Sequence, residues 1–230
     1  MGRLKERRHL LLLVALVAVL IIQSFAHRLL LGPVASDAMV AVVMTGVFFV
    51  VFERPRERLL AVATLAAALA ALLAHHALPA GVQEGLRIAY HALLVLFQAF
   101  AVAVILRDIF QAKAVRADDV LGAVCGYLLA AGAWSSLYAL TEAFAPGSFT
   151  LPAGLAGQLD TWQGRTALFD YFSLVTLTTM GYGDISPVRP PATAFATLEA
   201  VFGQFYIAVI VAQLVGARLS QSADRRRADG

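Results

Sequence analysis

Residues 178–184 read Thr178-Thr179-Met180-Gly181-Tyr182-Gly183-Asp184. Glycines at two alternate positions let a short strand use backbone angles closed to residues that carry a Cβ. Such a strand can aim successive carbonyl oxygens at one axis. Carbonyls are strong dipoles without full charge, so they can replace the hydration shell of a cation and still release it. A Gly-Tyr-Gly run alone says little, and its meaning depends on the elements that hold it. No competing chemistry is visible. The serines, histidines and acids form no recognisable triad or metal motif, so neither an enzyme activity nor a cofactor is expected.

The chain has 230 residues, 60% of them hydrophobic and 14% charged, with a mean hydropathy of +0.77. Soluble domains carry about 25% charged residues, so this composition indicates an integral membrane protein. Cys125, the one cysteine, lies in an apolar stretch and reads as a small packing residue. A bilayer core about 30 Å thick needs about 20 apolar residues of helix. Leu10–Leu31, Val34–Phe52, Leu59–Leu78, Ile88–Leu106 and Val120–Phe144 meet or approach that length, and Ala192–Val215 follows Pro190 and Pro191, which suit a helix start. Thr166–Thr178 is too short to span and reads as a re-entrant helix. The expected fold is an all-α membrane protein with six transmembrane helices, one re-entrant pore helix and an extended strand.

Orientation follows from Lys and Arg. With both termini cytoplasmic, only Arg28, Arg87, Arg165 and Arg189 of the 18 basic residues lie outside. A basic start, the apolar run Leu10–Ile22 and Ser24-Phe25-Ala26 also fit a signal peptide cleaved after Ala26, although the apolar stretch resumes at Leu29–Leu31. An arginine- and alanine-rich composition points to a bacterial source.

Two spanning helices around a short re-entrant helix and the run Leu168-Phe169-Asp170-Tyr171-Phe172-Ser173-Leu174-Val175-Thr176-Leu177-Thr178-Thr179-Met180-Gly181-Tyr182-Gly183-Asp184 resemble the pore domain of the potassium channel superfamily. The resemblance covers residues 118–217. It implies stacked K+ sites formed by the carbonyls of Thr179, Met180, Gly181 and Tyr182, with Gly183 completing the filter and the Thr179 hydroxyl at one end. It implies that Tyr182 packs against Tyr171 and Phe172, that Thr178 and Asp184 support the filter, and that the pore helix aims its negative end at the ion path. It also implies a homotetramer, because one pore loop per chain cannot close a filter.

Two departures stand out. Met180 replaces the usual valine, a change that leaves its carbonyl available. Val175 occupies the position where some relatives place an acid that pairs with the mouth aspartate, so Asp184 needs another partner or remains solvated. Gly203, mid-way along the last helix, fits either a gating hinge or close helix packing. Gln204 and Ile207 are candidates for cavity lining. Glu199 reads as a hydrogen-bonded residue behind the pore helix.

Residues 1–117 form a four-helix membrane domain, 118–217 the pore domain and 218–230 a short basic tail. A voltage sensor needs arginines within its fourth helix. Here Arg87 and Arg107 only bracket Ile88–Leu106, and the first three helices read as lacking internal carboxylates, so weak voltage dependence is expected. His75, His76 and His91 fall near the outer helix ends, where they could meet; local hydrogen bonding is the leading reading and an external pH sensor the alternative. Arg225, Arg226 and Arg227 fit ordinary topology or contact with anionic lipids. No nucleic-acid partner is expected. The function implied is passive, selective K+ conduction; a weakly selective cation pore and a non-conducting sensor or scaffold are the alternatives.

Overall fold

The structure, a computed structural model, describes residues 8–25, 32–112 and 117–228. Five helices come first: α1 Arg8–Phe25, α2 Pro33–Val51, α3 Pro55–Ala77, α4 Ala80–Gln111 and α5 Ala117–Phe144. Then follow β1, Phe149–Thr150, a 3-10 segment, Ala153–Asp160, and the short α6, Trp162–Leu177. An extended run leads to β2, Ser186–Pro187, and to α7, Pro190–Ala228. Proline sets several of the starts. Pro33 and Pro55 occupy first-turn positions, where a missing N–H costs no helical hydrogen bond, and Pro79 caps α4.

Helices α2 to α5 and α7 are long and apolar enough to cross a membrane, and the protein is an all-α membrane protein. The apolar part of α1, Arg8–Gln23, is shorter. The Ala26 cleavage position and Leu29–Leu31 lie outside the described residues, as do the side chains of Arg225, Arg226 and Arg227.

One core joins the N-terminal helices to α5 and α7. Val47, Phe52, Phe97, Ala101, Leu129, Tyr206 and Ile210 all belong to it. Ala61 and Ala68, both fully buried on α3, are small enough to let α4 approach closely. A second cluster, containing Tyr138, Phe149, Phe169, Phe172, Ile185 and Ala192, surrounds α6.

The fourth helix corrects the sequence expectation. It spans Ala80–Gln111, so Arg87 and Arg107 lie inside it. It extends because carboxylates from other helices neutralise both arginines. Arg87 donates to both Asp37 oxygens on α2 at 2.9 and 2.8 Å, and Arg107 pairs with Glu57 in the first turn of α3. The first three helices therefore do hold countercharges. Twenty residues of helix place the two arginines about 30 Å apart, near opposite ends of a span.

Two of the three histidines meet: the His75 and His76 rings lie edge-on with centroids 5.1 Å apart, while His91 packs elsewhere. His75 meets the Gln83 carbonyl at 3.0 Å and His76 meets Asp37 at 3.0 Å. His91 instead stacks on Trp162 with centroids 4.8 Å apart.

Candidate ion-conduction site

Helix α6 starts where Thr161 caps it, its hydroxyl accepting from the Gly164 amide at 3.1 Å. Leu168, Phe169 and Phe172 recur at helical spacing and bury one face of α6 against Tyr138 and Phe149. The two-residue ribbon pairs Phe149 with Pro187 and Thr150 with Ser186, tying the loop before α6 to the strand after it. Glu142, only 4% exposed, holds that loop by accepting from the Gly147 and Ser148 amides at 2.7 and 3.0 Å.

The chain leaves α6 at Thr178, whose hydroxyl donates to the Leu174 carbonyl at 2.6 Å. The next two amides turn back onto the helix end: Thr179 N–H donates to Thr176 O and Met180 N–H to Val175 O, both at 2.9 Å. Left-handed backbone then alternates along the run, with φ of 57° at Thr179, 55° at Gly181 and 77° at Gly183. Met180 and Tyr182, between them, keep negative φ. Thr179 is the only residue other than glycine with positive φ among those described. Its identity gives no warning of this, because β-branched residues disfavour that region.

The structure sorts the candidate residues. Tyr182 stacks on Tyr171 at 6.5 Å with planes 9° apart. Phe172 contradicts its expected place beside Tyr182: it is buried against Tyr138 and Phe149, because its helical position faces the second core. Asp184 has a partner after all. The Tyr171 hydroxyl donates to it at 2.7 Å, and this bond holds the Asp184 carboxyl below the usual carboxylate range. Val175 faces the core, so the mouth is tied to α6 through a tyrosine one turn away.

Helix α7 packs against the end of α6 and the start of the glycine-containing run. Gln204 donates to the Thr179 hydroxyl at 3.1 Å. Ile207 is 46% exposed within the single chain. Gly203 is buried, and a Cβ there would overlap the Leu177 carbonyl at the end of α6. The same carbonyl accepts from Tyr127 at 2.8 Å. Helix α7 runs unbroken through Gly203, and close packing accounts for the glycine. Glu199 is fully buried between α5 and α6; Tyr138 and Ser173 donate to its two oxygens, each at 2.5 Å. Glu142 and Tyr127 escaped the sequence reading, although a carboxylate in the last turn of an apolar helix is a usable signal.

A short helix and an extended run with alternating left-handed residues lie between two long apolar helices. Residues 127–218 match the family model Ion_trans_2, described as "Ion channel", and this segment is an ion-channel pore-type domain. It runs from Tyr127 on α5 through α6 and the glycine-containing run into α7. No curated protein and no solved structure is detectably similar to the chain.

Proposed function

We propose that the chain is one subunit of a homotetrameric, K+-selective channel in the bacterial plasma membrane. The carrying observation is the left-handed alternation at Thr179, Gly181 and Gly183 directly after a helix whose end holds the neighbouring amides. Carbonyls of Thr179, Met180, Gly181 and Tyr182 would replace the hydration shell of K+, and the C-terminal dipole of α6 would favour a cation on the axis. Gly183 lets the strand leave the filter, while Tyr171, Asp184 and Thr178 hold its outer and inner ends. Gln204 and Ile207 would line the cavity below.

Exposure within one chain supports assembly. Met180, Tyr182 and Phe205 are 56%, 65% and 66% exposed, on the side where three further copies would complete the ring. With α1 as a sixth crossing, both termini lie in the cytoplasm, in accord with the distribution of arginines. Gly181→Ala puts a Cβ at a φ of 55° and is expected to abolish K+ flux in liposomes while the tetramer persists. K+-selective flux retained at wild-type rate would refute the filter assignment.

A further inference from the structure

A cavity of about 80 Å³, lined by both apolar and polar side chains, lies between α1, α2, α4, α5 and α6. Its lining includes Arg87, Gln98, Ser136, Gln163 and Asp170. Arg87 and Gln98 are each only 5% exposed. Arg87 uses its two terminal nitrogens on Asp37, and its Nε has no partner in the protein; the same holds for Gln98 Oε1 and Gln163 Nε2. Three unpartnered polar atoms thus line one cavity, two of them on side chains more than nine-tenths buried. Lipid cannot satisfy them, and left dry each would lose its hydration with no bond in return.

We propose that this cavity is a water-binding recess connecting the outer face of the protein to Asp170 on the back of α6. The atoms require both a hydrogen-bond acceptor, for Arg87 and Gln163, and a donor, for Gln98, and water supplies both. The volume exceeds what one water needs, and a buried water makes about three hydrogen bonds. Arg87, Asp37 and His76 sit together near the outer end, where His76 retains some exposure. Gln98 lies eleven residues further along α4, about 16 Å deeper. The recess therefore brings solvent to a depth that lipid-facing positions such as Leu96 do not share. The proposal requires a membrane setting but does not rest on K+ selectivity.

The test uses the full chain in sealed membranes with Cys125→Ser, which removes the one native thiol. Gln98→Cys, Gln163→Cys and Leu96→Cys are exposed from outside to Ag+, a water-sized ion that seeks thiols, then denatured and alkylated. Mass spectrometry counts the thiols that Ag+ protected. The recess predicts at least tenfold faster protection at Gln98→Cys and Gln163→Cys than at Leu96→Cys. Equal, slow protection at all three overturns it. Gln98→Leu gives an answer that needs no introduced thiol: a wet recess predicts a lower thermal midpoint, and a raised midpoint overturns the proposal because a dry, unsatisfied amide would have been removed.

Discussion

Gly203→Ala places a methyl group where the Leu177 carbonyl sits, at the junction between the pore helix and the filter run. The three nearest atoms, the O, C and Cα of Leu177, are all backbone, so the helices must separate or the carbonyl must move. Overpacking of this kind costs about 1–3 kcal/mol. Moving the carbonyl also threatens the Tyr127 hydrogen bond, another ~0.5–1.5 kcal/mol, while alanine in a helix returns ~1 kcal/mol. The net expectation is a loss of about 0.5–3.5 kcal/mol, seen as a lower thermal midpoint in detergent together with reduced flux. Gly46→Ala is the matched control: nothing lies within 4 Å of its Cβ, so it should stabilise by about 0.5–1 kcal/mol. A Gly203→Ala protein with an unchanged midpoint would refute the packing argument. If its flux changed alone, the hinge reading would gain instead.

Glu199→Ala should destabilise by about 1–3 kcal/mol, because it strands the buried Tyr138 hydroxyl while Ser173 keeps the Ala131 carbonyl, and Glu199→Gln should recover most of the loss in the same thermal melt. Arg87→Gln leaves Asp37 without its bidentate partner and should cost about 3–5 kcal/mol, while conductance stays nearly flat in voltage before and after the change. Acid should weaken the pore mouth. The Asp184 carboxyl is held low by the Tyr171 hydroxyl, so the contact is present at neutral pH and is lost as pH falls through that lowered value. Tyr171→Phe removes the cause and should shift acid sensitivity of flux to higher pH; an unshifted profile would disprove the link.

The two filter glycines were legible because few other residues adopt positive φ, and the short α6 was legible from the length of its apolar run. Thr179 was not, since its strain is imposed by amides anchored to Thr176 and Val175. The extent of α4 was hidden for a related reason. Arg87 and Arg107 read as helix ends until Asp37 and Glu57, from two other helices, neutralise them. The role of Gly203 depended on a carbonyl 26 positions earlier, a contact that no local pattern reveals. Phe172 was misplaced because adjacent aromatics on a helix point in different directions: Tyr171 meets Tyr182 and Phe172 meets the core.

Selective conduction is the central claim, and flux through purified chain in liposomes, driven in turn by K+ and Na+ gradients, tests it most directly. The filter geometry predicts rapid K+ flux with Na+ flux lower by at least tenfold. Equal flux of the two ions would contradict it, leaving a pore whose carbonyls do not discriminate.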